Sequence, residues 1–256
     1  MTNTRSYIFF SIILTILGLV SFYYISHWWL LIPVWLFRTI GNGVVGHRYF
    51  AHNQFTVGPY SRKLFSYYTT ISGYSTPFYW IVQHLHHHRN SDQKNDVHSP
   101  KNGLWNSIIF WMFRPEIINS VFDDRSSKIL TIKTLRDPDI SNPSKRFIEI
   151  NVAFYVLMYV INPELFLLWS ASYILELIKF GLINSILHLK YIPGNYRNHN
   201  LSDDSHNNLL LGFLTMGFGW HNNHHRDAKK LNLHERWWEI DIEALIGKSF
   251  STIFRF

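Results

Sequence analysis

The chain has no cysteine. That excludes disulfides, thiolate metal sites and cysteine nucleophiles, and it fits a reducing compartment. Charge is also scarce, with Asp, Glu, Lys and Arg making up 16% of the 256 residues. No Glu-x-x-His pair occurs, so the carboxylate–histidine helices of soluble di-iron bundles are ruled out. There is no His-Pro-Gly-Gly haem motif and no glycine loop for a nicotinamide or flavin; electrons for any redox reaction must come from a separate carrier. Nor is there a basic–aromatic nucleic-acid module, a repeat of 20–50 residues or a low-complexity tract.

Long apolar runs are plentiful. Residues 7–25 carry no charge and are long enough to cross a bilayer's hydrocarbon core. This core is too long for a cleaved signal peptide, and no small-x-small site follows it. A second run, 28–48, is apolar apart from Arg38 and the 39–42 stretch, and a block over 147–187 is interrupted by Asn162-Pro163, where Pro suits the first turn of a new helix. The reading is four spans, near 7–25, 28–48, 147–161 and 164–187. Thirteen of the 24 Lys and Arg residues fall in 48–146 and eight in 189–256, with none in the two short turns. The positive-inside bias therefore places both termini and the central segment in the cytoplasm. A mean hydropathy of −0.05 leaves well over half of the chain for a cytoplasmic cap. The net charge of +7 suits anionic headgroups or an acidic carrier or electron donor. The polar stretch 136–145, with Pro138 and Pro143, reads as a linker.

Histidine is the other abundance, at fifteen residues. The pattern His-x-x-His-His occurs twice, at His84–His88 and His221–His225, and a third cluster, HRYFAH, spans His47–His52. At this histidine frequency roughly 0.05 chance matches to the pattern are expected per chain, so two by accident is on the order of one in a thousand. On a helix, positions i, i+3 and i+4 share a face, so each copy is expected to aim three imidazoles at one point. His47 and His52 lie about 140° apart on an ideal helix and can face one site only if the helix ends or bends there. Asn184 and His188 share a face at the end of the fourth span. The candidate metal set is His47, His52, His84, His87, His88, Asn184, His188, His221, His224 and His225, with Asn184 acting through water. Nine imidazoles exceed the needs of one ion and suit two. Zinc is redox-inert and a poor match for so many imidazoles without thiolates, whereas iron with open positions activates dioxygen. His27, His86, His98, His199, His206 and His234 are read as surface or supporting residues, and His98, Asp96 and Asp204 as possible hydrogen-bond partners near the site. The sequence does not identify catalytic residues beyond the metal ligands, and no organic-cofactor site is expected.

HRYFAH, HLHHHRNSDQKNDVHSP, the Asn184–His188 pair and GWHNNHH, in this order around four apolar runs, resemble the integral-membrane fatty-acyl desaturases. The resemblance is strongest to short bacterial members of the stearoyl-type, Δ9-type group and covers residues from about 40 to 241. It implies an all-α membrane fold over 1–256, with four transmembrane helices and a cytoplasmic helical cap from 49–146 and 189–256 carrying a histidine-rich di-metal site. It further implies two Fe2+ ions, dioxygen as co-substrate, insertion of a cis double bond into an acyl chain, and location in a bacterial inner membrane with the metal site cytoplasmic. The acyl chain would be carried on lipid, acyl carrier protein or CoA, and the external donor would be ferredoxin-like or cytochrome-like. Leu85, Phe218 and His206 depart from the family pattern. Val82-Gln83 stands where animal acyl-CoA members have Arg-Asp, which favours a lipid-bound or protein-bound chain. Aromatic segments 65–68 and 74–80 are candidates to line an acyl tunnel. Glu176 and Lys179, at i and i+3 within a span, are expected to pair. A hydroxylase or acetylenase on the same scaffold, and a non-enzymatic membrane metal-binding protein, are the competing readings; the last predicts a polar transmembrane path that the apolar runs do not supply.

Overall fold

A computed structural model describes residues 3–256 of the chain. Asn3 caps α1 (Thr4–Tyr24) by accepting from the Arg5 N–H. A 3-10 turn leads into α2 (Leu31–Thr39), which continues without a break into a π-helical stretch, Ile40–Ala51. The helices α3 (Pro59–Ser72), α4 (Pro77–Asn90), α5 (Leu104–Ile108), α6 (Pro115–Asp123), α7 (Lys128–Arg136) and α8 (Pro138–Lys145) follow. They lead to α9 (Phe147–Ile161) and α10 (Pro163–Ile186). A two-residue antiparallel ladder pairs β1 (Asn195–Tyr196) with β2 (Asn207–Asn208), and α11 (Leu209–Leu214), α12 (His221–Arg226) and α13 (Ile242–Ile253) complete the chain.

Three helical stretches, Thr4–Tyr24, Trp28–Ala51 and Pro163–Ile186, are long and apolar enough to cross a membrane. The third expected span, 147–161, coincides with α9 but is only 15 residues long. At 1.5 Å per residue it covers roughly 22 Å, short of a full hydrocarbon core. The 136–145 stretch is not a linker. Asp137 caps it by accepting from the Asp139 N–H, Pro138 occupies the first turn, and α8 results.

The apolar helices pack around α10. A Cβ on Gly18 would stand 2.7 Å from the Ser170 carbonyl oxygen, so only glycine lets α1 and α10 approach this closely. Asn162 caps α10 with Pro163 in its first turn. Glu164 in that turn accepts from the Ser26 and His27 N–H groups and pairs with His27 Nδ1 at 2.6 Å, fastening the α1–α2 turn to the start of α10. Outward faces of α1 and α9 expose Phe9, Ile16, Leu19, Val156 and Val160, a surface suited to lipid rather than water.

Charged groups within these helices are satisfied internally. Arg38 donates to Ser172 Oγ and to the Ser72 and Trp169 carbonyls while stacking 3.9 Å from the Trp169 ring. Lys179 Nζ meets Glu176 Oε1 at 2.8 Å, as the i, i+3 spacing predicts, and Thr39 and Asn42 donate to the same carboxylate.

Candidate metal centre

Four elements bring the histidines together. The π-helical stretch resolves the awkward His47–His52 spacing. In i→i+5 winding the His52 N–H donates to the His47 carbonyl at 3.1 Å, and the two rings stand 4.8 Å apart. Its backbone is locked by Arg48, which is buried and paired with Asp241 at 2.8 Å and Glu243 at 2.9 Å. Thr76 caps α4 by accepting from the Tyr79 N–H, and Pro77 occupies the first turn. The α4 phase that follows carries His84, His87 and His88. His188 lies just past the end of α10. Helix α12 has only six residues, and its orientation comes from the two asparagines inside the HNNHH pattern. Asn222 donates to the His199 and Ser205 carbonyls, while Asn223 donates to the Leu233 carbonyl and to Glu239 Oε2 at 3.0 Å.

All nine candidate histidines converge, but in two groups. His47, His52, His84, His88 and His224 present one nitrogen each within 4.8 Å of one another, and so do His87, His188, His221 and His225. The expectation that each His-x-x-His-His copy aims at a single point is thereby corrected. The i, i+4 pair of each copy stays together, His84 with His88 and His221 with His225, while the i+3 member crosses to the other cluster. On an ideal helix i and i+4 are about 40° apart, whereas i+3 and i+4 are about 100° apart, which makes the division a matter of geometry. Asn184 is the remaining candidate. It is buried one turn before His188 and lines a small cavity of about 10 Å³ with Tyr74, Trp111, Leu177 and Phe180. That volume is on the order of a single water.

The donor set fits cations. His84 Nε2 lies 2.7 Å from His52 Nε2 and 3.1 Å from His88 Nε2, and His224 Nε2 lies 3.0 Å from His88 Nε2 and 3.1 Å from His47 Nε2. One imidazole nitrogen cannot satisfy two such neighbours at once. In the other cluster, His87 Nε2 and His225 Nε2 are buried without a hydrogen-bond partner. Converging nitrogens of this kind are satisfied together by a metal ion.

Three carboxylates back the second cluster. Asp96 meets His87 Nδ1 with both oxygens at 3.0 Å, Asp92 meets His188 Nδ1 at 2.7 Å, and Asp203 meets His225 Nδ1 at 3.0 Å. Each bond places the proton on Nδ1 and leaves Nε2 free to ligate. Of these, Asp96 was legible near the site; Asp92 and Asp203 were not, because their partners lie far along the chain. The Asp204 carboxylate pairs with Lys101 at 2.8 Å, while its backbone N–H donates to Asp92.

Burial, together with repulsion from neighbouring rings, pushes the His84, His88, His221 and His224 imidazoles well below their ordinary range. Burial likewise lowers His52 to about 3 and, despite Asp203, His225 to about 4. His87 runs the other way: burial lowers it, but the Asp96, Asp92 and Asp203 carboxylates together outweigh that burial. The lowered histidines stay neutral in the folded chain while the unfolded chain binds protons below about pH 6.5. The stability of chelator-stripped protein is therefore expected to be complete above pH 6.5 and to fall as pH drops from there toward 4. Each such histidine contributes up to about 1.4 kcal/mol per pH unit. Thermal melts across that range check the sign.

The remaining histidines join neither cluster, although His98 groups closely with His87 and Asp96; His86 shows how a neighbour in the same run is excluded. It is turned off the α4 face, with Nδ1 2.7 Å from Ser127 Oγ and Nε2 2.9 Å from the Asn95 carbonyl. His199 pairs with Glu235, and His234 is exposed. His206 Nδ1 meets the Asp204 carbonyl. His98 is buried against Trp111 and beside the His87–Asp96 pair, its two ring nitrogens without partners. Of the proposed lining aromatics, Tyr74 and Trp80 stand with Phe180 and Phe218 against His47 and His84. Phe65 packs instead on Phe250 and Phe254.

Residues 24–234, spanning both clusters, match the fatty acid desaturase family. The chain belongs to that family. It is accordingly an oxidoreductase of the desaturase type, with membrane-spanning candidates and buried histidine clusters. This desaturase is 29% identical to Delta-9 acyl-lipid desaturase 2 of Arabidopsis thaliana, over 96% of its own length and 80% of the relative's. It is 31% identical to an acyl-CoA C20 Delta5-desaturase of Anemone leveillei, over 81% of its length and 65% of that protein's. A third relative, at 24% identity over 94% of this chain and 81% of its own, is a hex-5-enoyl-[acyl-carrier protein] acetylenase of Moorena producens (strain JHB).

Proposed function

We propose that this protein is an oxygen-dependent fatty-acyl desaturase that inserts a cis double bond into an acyl chain at a di-iron centre. The observation that carries this is the convergence of nine histidines into two adjoining buried clusters, five and four strong, with His47, His52 and His188 at or near the ends of apolar helices. The histidines named above are assigned as ligands, with Asn184 acting through water. Two iron ions held there would supply the activation of dioxygen that removing hydrogen from an unactivated methylene requires. The chain's own residues present neutral imidazole donors, hold protons on the Nδ1 atoms facing Asp92, Asp96 and Asp203, and exclude water. Tyr74, Trp80, Phe180 and Phe218 form an apolar wall beside the five-histidine cluster, against which an acyl chain can be positioned.

In this reading α9 is the third and shortest of four spans, both termini are cytoplasmic, and the metal centre faces the cytoplasm of a bacterial inner membrane. A reporter inserted near Asp137 is expected on the cytoplasmic side, and an external location would break the common face. Electrons come from a separate ferredoxin-like or cytochrome-like donor. Val82 and Gln83 are buried, so this segment offers no fixed charge pair to a nucleotide-bearing carrier, which favours acyl-lipid or acyl carrier protein over acyl-CoA. Side-by-side assays with the three carriers test that preference, and faster turnover of acyl-CoA would reverse it.

The similarity to an acetylenase favours a second reading within the same chemistry, in which the substrate already carries a double bond. Expression in a host lacking desaturases, followed by mass spectrometry of its lipids, separates the outcomes. A new double bond supports desaturation, a triple bond supports acetylenation, and a product heavier by one oxygen atom supports hydroxylation.

A further inference from the structure

The two histidine clusters differ sharply in what stands behind them. In the four-histidine cluster, His87, His188 and His225 each give their Nδ1 hydrogen to a carboxylate, Asp96, Asp92 and Asp203 respectively. Among the described residues, no carboxylate pairs with His47, His52, His84, His88 or His224. The Nδ1 atoms of His47 and His224 are, among the described residues, buried without a partner, as is that of His221, the one member of the four-histidine cluster without a carboxylate. The nearest charged side chains on the five-histidine side, Arg48 and Lys179, are already neutralised by Asp241, Glu243 and Glu176. Aromatic rings complete the surroundings: Trp80 stacks on His84 at 4.9 Å and Phe218 lies 4.5 Å from His47.

We propose that the two clusters hold their ions with unequal affinity, the four-histidine cluster binding the tighter ion because Asp92, Asp96 and Asp203 act as its positioning residues. The inference rests on the reading of the clusters as metal sites and not on the reaction they serve. Counting ligands predicts the reverse order, five imidazoles against four. Electrostatics decides against the count. A buried divalent cation among neutral ligands has exchanged water for a weakly polarisable surrounding and gained no counter-charge. The four-histidine cluster sets three carboxylates, each one imidazole away, against that same double charge. A carboxylate on Nδ1 also makes Nε2 a stronger donor and fixes its direction, an effect usually worth 10–100-fold in metal affinity when removed.

Asp92 is built for this role. Its backbone sits in the left-handed region at φ 61°, a conformation rare for a non-glycine residue. There its N–H donates to Asp96 at 2.9 Å, and its carboxylate accepts from His188, from the Asp204 N–H at 2.8 Å and from Ser99 at 3.1 Å. One side chain thereby ties the segment after α4 to the end of α10 and to the loop bearing Asp203. Its effect on binding comes through His188 rather than through contact with the ion.

The test is release of iron from the full-length, iron-loaded protein to a ferrous chelator, followed optically, with Mössbauer spectra of 57Fe-loaded samples taken before and after the fast phase. Two release phases of equal amplitude are expected, and the ion remaining after the first should give a single quadrupole doublet. His52→Ala should remove the fast phase only, and His225→Ala the slow phase only. Asp92→Asn and Asp203→Asn should each speed the slow phase 10–100-fold while leaving the fast phase in place. That preserved phase also reports that the variants are folded. Release of both ions together, or a slow phase that is lost in His52→Ala and untouched in both Asp variants, would overturn the proposal. Failure to load any iron would overturn the metal reading itself.

Discussion

Replacing His84, His188 or His224 with alanine is expected to abolish turnover, whereas His86→Ala and His234→Ala should retain much of it. The loss should exceed the 10–100-fold typical of removing an outer partner of a metal ligand, since each of the three presents a ring nitrogen at a convergence point. His86 makes the comparison sharp. It lies in the same HLHHH run, one position from His87, yet both of its ring nitrogens are engaged by Ser127 and Asn95. Assay of purified variants together with their iron content checks the assignment. An essential His86 beside a dispensable His188 would mean that the helix faces have been misread.

The second large effect is on stability, and it lies away from the metal centre. Lys179→Met is expected to destabilise the protein by about 3–5 kcal/mol, the usual cost of leaving one partner of a buried ion pair uncompensated. Glu176 is fully buried and already accepts from Thr39, Asn42 and Lys179. The double variant Glu176→Gln/Lys179→Met should recover most of the loss, because no naked charge is left. Thermal unfolding in detergent of the two single variants and the double variant measures the coupling. Additive losses would mean that the pair does not act as a unit.

What the sequence makes legible here is local. The i, i+4 pairing within HLHHH and HNNHH, the proline opening α10, and the pairing of Glu176 with Lys179 all act within one or two helical turns, and the structure shows each of them. The division of the nine histidines is half-legible: the angles between neighbouring helix positions imply a split, but only the tertiary arrangement that brings the rings of α4 and α12 together decides which ring goes where. Asp92 and Asp203 could not be read, because their partners His188 and His225 lie 96 and 22 residues away. A short run rich in Asp, Asn and Ser after α4 gives no sign of which carboxylate points inward. The helix α8 was missed for another reason. Its two prolines suggested a linker, yet one occupies the first turn, where a missing N–H costs nothing.

The π-helical winding of 40–51 makes chain length itself part of the ligand set. In this stretch the histidine at position 52 comes back over the one at 47 because each turn holds an extra residue, and the Arg48 pairings with Asp241 and Glu243 hold the widened coil in place. Copying His47 and His52 onto a straight α-helix would aim the two rings about 140° apart, however faithfully the side chains were reproduced. A transplanted or redesigned centre would have to import the backbone gauge along with the imidazoles. A one-residue deletion between His47 and His52 would break that match of winding to spacing, although it removed neither histidine.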